Sequence, residues 1–160
     1  MTDHPWPSAW PLVKQQGRYD CLQAAIAMVL GLPIGDVPDF MEKARLSGAD
    51  AATDLYDQLR AWCAPRHLVP LPLQHVAPLD VLLAVMHERH PGVPSILSGH
   101  SKWDTGHSVV CYGGRIVHDP MPGYGPDDGG VVKPFPNTGA FEVLYFVALP
   151  GVASGKALQQ

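Results

Sequence analysis

The order of its apolar segments predicts an α+β fold, with N-terminal helices packed on a C-terminal antiparallel β-sheet. Up to about residue 90 the apolar residues recur at helical spacing, whereas after Pro91 they form short β-branched or aromatic runs separated by Gly, Pro and Asp. Helices followed by strands are typical of an α+β domain. The chain has 160 residues, 46% hydrophobic and 16% charged, which suits one compact domain. We expect this domain to span residues 1–150 and residues 151–160 to form a flexible tail.

Four helices are expected in the first part of the chain. The first covers residues 21–30, with Asp20 as a candidate N-cap and Gln23 at the third helical position, an Asp version of the capping box. A second helix is expected at about 39–47. A third begins near Thr53, which is a candidate cap, and a fourth begins near Pro78.

The remaining segments predict strands. Residues 67–73 (HLVPLPL) look extended but contain two prolines, so they form an edge strand or a linker and not a central strand. Four further strands are expected within 93–99, 106–114, 115–120 and 141–149. Residues 120–139 are rich in Gly and Pro and predict a long loop on the surface near the sheet.

Composition and charge argue against several classes of function. The net charge is -4 and the eleven Lys and Arg residues are scattered, so no basic stripe is available for nucleic acid. The first residues resemble no signal peptide, and no run approaches the ~20 apolar residues of a membrane span. We therefore expect a cytoplasmic protein with no nucleic-acid and no membrane partner. The oligomeric state stays open.

Cys21 is the candidate nucleophile among three cysteines. An odd count without short spacing argues against a disulfide framework and a CxxC zinc site. A thiol becomes a strong nucleophile when it ionises, and the N-terminus of a helix favours the thiolate. The alternative is that Cys21 is only a small apolar residue of a buried helix. Cys63 and Cys111 are interpreted as packing residues.

The segment GHSVVCYGGRIVHDP supplies a histidine and a carboxylate. Gly113–Gly114 predicts a hairpin turn, and the register decides whether His107 and Asp119 meet. A two-residue loop would put them on opposite faces. A three-residue loop or an equivalent bulge, which pairs Tyr112 with Ile116, would put them on one face. We predict the second register.

These residues together predict thiol-based catalysis. His107 would deprotonate Cys21 and later protonate the leaving group, and Asp119 would orient the imidazole. The side-chain amide of Gln15, with the backbone N–H of Cys21, would donate to a developing oxyanion. Gln16 is the alternative if the loop is shifted by one residue.

This pattern resembles the papain-like cysteine peptidase superfamily, and most closely its small C39-like branch from bacteria and phages. The likeness consists of Q-(five residues)-C heading an apolar helix, a strand-initial H-x-V-V and a later I-x-x-D-P, and it covers about residues 15–40 and 95–120. It implies Cys21, His107 and Asp119 as the catalytic triad and Gln15 as the oxyanion donor. Leu22 is a departure, since C39-type sequences usually have Gly there.

The resemblance implies a cysteine peptidase or related amide hydrolase that acts on a peptide or protein through an acyl-thioester, with no cofactor and no metal. The alternatives are a side-chain deamidase or acyl transferase with the same residues, and an inactive binding module with this fold. A zinc site built from His100, Asp104 and His107, with Cys111, His118 and Asp119, matches no standard ligand spacing. Trp103 and Asp104 form either a wall of the cleft or a simple turn.

Overall fold

The computed structural model describes residues 12–47 and 51–150, and in these residues the fold is α+β, as predicted. The helices are α1 (Cys21–Leu30), α2 (Phe40–Ser47), α3 (Ala51–Cys63) and α4 (Leu79–Arg89). The strands are β1 (Leu68–His75), β2 (Ser95–His100), β3 (Gly106–Tyr112), β4 (Arg115–His118) and β5 (Phe141–Ala148). The tail expected at 151–160 lies outside the described residues.

The five strands form one antiparallel sheet in the order β1-β5-β2-β3-β4. Residues 68–75 are therefore an edge strand, the first of the two possibilities left open by the sequence. Pro70 and Pro72 are accepted there because an edge strand has one side on which no backbone donor is needed. One strand thus precedes α4, so helices and strands are less cleanly separated along the chain than expected.

Helix α1 is the central element of one face of the sheet. Its residues 24–29 are small or apolar on every side and all are buried, as expected for a helix enclosed by other elements. Residues 25–29 share a core cluster with Ile96, Val110 and Leu144. Contacts between α1 and the sheet are concentrated on β3, the strand that carries His107.

A second apolar cluster covers the opposite face. Leu82 and Met86 of α4 pack there with Leu97, Val109 and Val143. Neighbouring strand residues thus belong to different clusters, because successive side chains of a strand point to opposite faces.

Helix α3 begins at Ala51, so Thr53 lies inside it and the cap expected at Thr53 is wrong.

None of the described helices is by itself long and apolar enough to cross a membrane. The pair Cys21–Leu30 and Ile34–Leu46 reaches that length and apolar content only jointly, and it is bent by 103°.

Candidate active site

The loop of the β3–β4 hairpin is tighter than the sequence predicts. Gly113 and Gly114 form a two-residue loop, both with positive φ (61° and 75°), a conformation that glycine adopts without strain. Tyr112 pairs with Arg115 across this loop. The expected three-residue loop, with Tyr112 opposite Ile116, is therefore wrong.

A bulge in β4 supplies the missing residue instead. The register shifts between Val110 and Cys111, and Val110 pairs with His118, which leaves Val117 as an extra residue of β4. Beyond the bulge, β3 and β4 are therefore paired in the register that was predicted, with Val110 opposite His118. The equivalent bulge left open by the sequence is thus present, and it turns the residue after β4 towards His107.

His107 and Asp119 contact each other as predicted. His107 Nε2 lies 2.7 Å from Asp119 Oδ1, and both side chains are buried. The same oxygen accepts a hydrogen bond from the backbone N–H of Met121 at 2.8 Å, so the carboxylate is fixed from two sides. Its second oxygen, Oδ2, is buried and has no hydrogen-bond partner among the described residues.

Gly130 closes over this pair. A Cβ atom at Gly130 would overlap with Asp119 Oδ2 and would lie 3.1 Å from His107 Cδ2, so only glycine fits at this position. Gly130 and Val131 are buried. The expectation of a surface loop at 120–139 is therefore wrong for this part. Sequence reasoning missed the role of Gly130, although the Gly129–Gly130 pair is a signal of close backbone approach.

Cys21 occupies the first position of α1 and is half-buried, whereas Cys63 and Cys111 are buried. Burial raises the pKa of both of these buried thiols, that of Cys63 to about 11. They are packing residues, in line with their interpretation from the sequence, and Cys21 is the thiol that solvent and solutes can reach.

The imidazole of His107 links Cys21 to Asp119. Burial alone would lower the pKa of His107, but hydrogen bonds to Asp119 and Cys21, together with the charges of both groups, raise it to about 9. Nε2 is the ring nitrogen that faces Asp119. At neutral pH the imidazole is therefore positively charged beside a carboxylate on one side and a sulfur on the other.

The N-terminus of α1 differs from the capping box that the sequence predicts. Asp20 does hold the N-cap position, but its carboxylate bonds to none of the first-turn N–H groups among the described residues. It accepts instead from the backbone N–H groups of Gln16 and Gly17 at 2.9 Å. Gln23 likewise donates to the carbonyl of Val37 at 2.6 Å and not back to the cap. The capping box is wrong, and among residues 12–47 and 51–150 no side chain is bonded to the free N–H groups at the start of α1 beside Cys21.

Residues 13–15 bind along the segment that follows β4. His118 Nε2 bonds to the Val13 carbonyl at 2.7 Å, and Gln15 N–H donates to the Pro120 carbonyl at 2.9 Å. Lys14 Nζ donates to the carbonyls of Asp119 (2.6 Å), Met121 (3.2 Å) and Tyr124 (2.8 Å). These bonds tie the chain before Cys21 to the chain around Asp119. Sequence reasoning did not find this role of Lys14, which no periodic pattern marks.

The two glutamines before Cys21 have different environments. Gln15 is buried, and its Nε2 donates one hydrogen bond, 2.8 Å long, to the Gly17 carbonyl. Its Oε1 has no hydrogen-bond partner among the described residues. Gln16 is exposed. The side-chain amide of Gln15 retains a second N–H, so its role as an oxyanion donor stays a prediction.

The residues considered for zinc are engaged elsewhere. The ring of His100 packs edge-on against Phe135, and Asp104 forms an ion pair with Lys133. Burial lowers the pKa of His118, whose ring bonds to Val13 as described above. Within residues 12–47 and 51–150, no group of three or more His, Cys, Asp or Glu residues is arranged to hold a metal ion.

The site thus joins a half-exposed thiol at a helix N-terminus, an imidazole and a buried carboxylate. This arrangement can form a thiolate–imidazolium pair, with the carboxylate holding the ring in orientation. Comparisons with models of known protein families and with curated proteins find no match for this chain. Function is therefore inferred from the geometry of the site.

Proposed function

We propose that this protein is a cysteine peptidase or a closely related amide hydrolase with a papain-like arrangement of catalytic residues. The observation that supports the proposal is the position of His107, which bonds to Asp119 and also interacts with the thiol of Cys21. A histidine that only stabilises the core needs no such thiol partner at the head of a helix.

The reaction begins with the thiolate of Cys21. Its sulfur attacks the amide carbonyl and forms a tetrahedral adduct, and the C–N bond breaks as His107 gives its proton to the leaving amine. The product is an acyl-thioester on Cys21. His107, now neutral, takes a proton from water, and the resulting nucleophile cleaves the thioester and restores the thiolate–imidazolium pair. Asp119 keeps the ring oriented throughout and does not itself react.

Charge on the carbonyl oxygen requires donors near Cys21. The backbone N–H groups in the first turn of α1 have no intrahelical partner, and the carboxylate of Asp20 is directed away from them. The Cys21 N–H and the second N–H of the Gln15 side chain are our candidates for the oxyanion hole.

The relation to the C39-like branch is part of the proposal. It is supported by the chain order of Gln15, Cys21, His107 and Asp119, and by a helix headed by the cysteine and packed on an antiparallel sheet. Leu22, which replaces the usual glycine, is a buried member of the α1 core cluster. We propose a peptide or protein as the substrate, because an amide hydrolase needs an amide carbonyl and a polypeptide supplies one at every peptide bond.

Labelling of Cys21 with iodoacetamide at neutral pH tests the nucleophile. We expect rapid modification of one thiol, located at Cys21 by peptide mass analysis, while Cys63 and Cys111 stay unmodified because they are buried. His107→Ala should slow this labelling by about tenfold or more, since the imidazole that stabilises the thiolate is lost. Labelling at the rate of a free cysteine in both proteins would leave the binding-module alternative as the better explanation.

Incubation with reduced and alkylated casein then distinguishes the three candidate reactions. Cleaved backbone bonds, absent with Cys21→Ala, indicate a peptidase. A mass increase of about one dalton without cleavage indicates a side-chain deamidase. New amide products with an added amine indicate an acyl transferase, which would overturn the hydrolase proposal but not the role of Cys21.

A further inference from the structure

Two aromatic rings stack between the loops that border the catalytic pair. Trp103, in the turn between β2 and β3, and Tyr124, in the segment after Asp119, have ring centroids 5.0 Å apart and an interplanar angle of 18°. Trp103 remains 48% exposed, although the ring is large and apolar. Lys102 Nζ lies 4.4 Å from the centroid of Trp103 and supports the ring by a cation–π contact.

Tyr124 is tied to the catalytic carboxylate by Lys14. The ammonium of Lys14 donates both to the Tyr124 carbonyl and to the Asp119 carbonyl, so a single ammonium group bridges the two carbonyls. Tyr124 N–H also donates to the Met121 carbonyl at 3.2 Å, within the turn that fixes Asp119 Oδ1.

Trp103 is connected to the His107–Asp119 pair through Gly129 and Gly130. Lys102 N–H donates to the Gly129 carbonyl at 3.0 Å, and Gly130 lies directly against Asp119 and His107. The turn itself is stiff, because Ser101 Oγ bonds to Thr105 Oγ1 at 2.9 Å and accepts from Trp103 N–H at 3.2 Å. Both rings are thus carried by segments that are bonded to the surroundings of His107 and Asp119.

We propose that Trp103 and Tyr124 form a subsite for an aromatic side chain on the leaving-group side of the substrate, in the residue that follows the scissile bond. This inference rests on the proposed function. His107 gives its proton to the leaving amine, so the residue that carries this amine must lie next to His107 and Asp119. The segments that carry the stacked rings contact that end of the site.

The chemistry of the surface selects the occupant. Aromatic rings pack favourably on other aromatic rings in offset or edge-on geometries, by about 0.5–1.5 kcal/mol beyond the area that they bury. The ammonium of Lys102 lies over the Trp103 ring, and that of Lys14 is bonded to the backbone carbonyl of Tyr124. Both positive charges disfavour a basic side chain. An aromatic residue such as phenylalanine fits both conditions.

Trapping of the acyl-enzyme tests this subsite without a known substrate. In p-nitrophenyl acetate the thiolate of Cys21 attacks the ester carbonyl, p-nitrophenolate leaves, and an acetyl-thioester forms. An added amine then attacks the thioester, the sulfur leaves as thiolate, and His107 accepts the amine proton. Phenylalaninamide and alaninamide, offered together at equal concentration, compete for this step, and the two acetylated products are quantified by mass spectrometry. The rate with Cys21→Ala is subtracted as background.

We expect the wild-type protein to give about fivefold or more acetyl-phenylalaninamide over acetyl-alaninamide. The ratio should fall towards one in Trp103→Ala and Tyr124→Ala and be restored in part by Trp103→Phe, which keeps a ring. Val85→Ala, an exposed site on α4, is the matched control and should keep the wild-type ratio.

The outcomes separate the two proposals. A release of p-nitrophenolate that depends on Cys21 and His107, with a product ratio near one in the wild type, would overturn the subsite and leave the proposed function intact. A release that depends on neither residue would overturn the proposed function. An elevated ratio that persists in both Trp103→Ala and Tyr124→Ala would place the aromatic preference elsewhere and overturn the subsite.

Discussion

Two segments of the chain supply the candidate site, and they are held in different ways. The β3–β4 hairpin carries His107 and is fixed by a ladder of backbone hydrogen bonds with one bulge. Residues 12–20 form neither helix nor strand and are held by separate bonds, chiefly those of Lys14 and Asp20. A ladder shares its stability among many bonds, whereas an irregular segment depends on each one. The positions of His107 and Asp119 should therefore be sensitive to crowding by neighbouring backbone. The conformation of residues 12–20, which lead to Cys21, should instead be sensitive to the loss of single side chains.

The largest effect is expected from Gly130→Ala. The new methyl group would overlap with Asp119 Oδ2, so either the carboxylate or the loop must move. Overpacking of this kind costs about 1–3 kcal/mol or more. We expect a loss of unfolding free energy of about 3 kcal/mol in urea, and iodoacetamide labelling of Cys21 at the rate of a free thiol.

Gly35→Ala is the matched control for Gly130→Ala, because a Cβ at Gly35 meets nothing within 4 Å. It should change the unfolding free energy by less than about 0.5 kcal/mol. Equal stability of the two variants would contradict the close approach of the loop to Asp119.

The second effect concerns pH. Folding raises the pKa of His107 from its ordinary 6.5 to about 9, so the protonated ring stabilises the folded state. This stabilisation is complete below pH 6.5 and is lost as the pH rises through about 9. We expect the unfolding free energy to fall by on the order of 1–3 kcal/mol between pH 6 and pH 9.5, measured by urea unfolding.

Asp119→Asn extends the pH experiment, since it removes the carboxylate whose hydrogen bond is the largest single cause that raises the pKa of His107. The fall with pH should be clearly smaller in this variant. Asp104→Asn, at an exposed residue paired with Lys133, should behave as the wild type does. The same fall in all three proteins would contradict the role of the pair.

The third effect tests the turn before α1. Asp20→Ala removes a buried carboxylate that holds the backbone of Gln16 and Gly17, which should cost about 2 kcal/mol. Hydrogen exchange should accelerate at these two amides and remain slow within α1.

Asp39→Ala provides the comparison, because Asp39 accepts from Glu42 N–H at 3.0 Å and is a true cap of α2. Here the first turn of α2 should exchange faster, with a loss of about 1 kcal/mol. Faster exchange of the first turn of α1 in Asp20→Ala would contradict the assignment and favour the capping box instead.

The smallest effect is expected from Lys14→Met. Three carbonyls lose their donor, but two of the bonds are exposed and the third is only partly buried, so the cost should be about 1 kcal/mol. Hydrogen exchange should increase in residues 121–125. Lys43→Met, at an exposed lysine of α2, serves as the control and should leave this segment unchanged. Unaltered exchange in Lys14→Met would mean that the segment is held without the lysine.

The hairpin illustrates how far the sequence can predict such a site. The contact between His107 and Asp119 needs one extra residue in the hairpin, and the sequence can count residues along a strand. It cannot decide whether that residue belongs to the loop or to a bulge at Val117, because both solutions give the same offset. The contact was therefore predictable, and the backbone route to it was not.

The segment before Cys21 was less predictable for a different physical reason. The carboxylate of Asp20 can bind the N–H groups on its own N-terminal side or those of the helix, and both lie within its reach. No periodicity distinguishes them. Gly130 and Asp119 are brought together only when the loop between them folds. The sequence therefore indicates that a glycine is needed near position 130, but it does not indicate which residue packs against it.

The prolines of β1 have a consequence for how the molecule behaves in concentrated solution. Leu149 N–H donates to the His67 carbonyl, and the alternation that follows directs Pro70 and Pro72 to the outer side of β1. That rim therefore lacks two neighbouring donors that a foreign extended chain would need to dock. The two prolines thus disfavour the addition of further strands along this edge of the sheet.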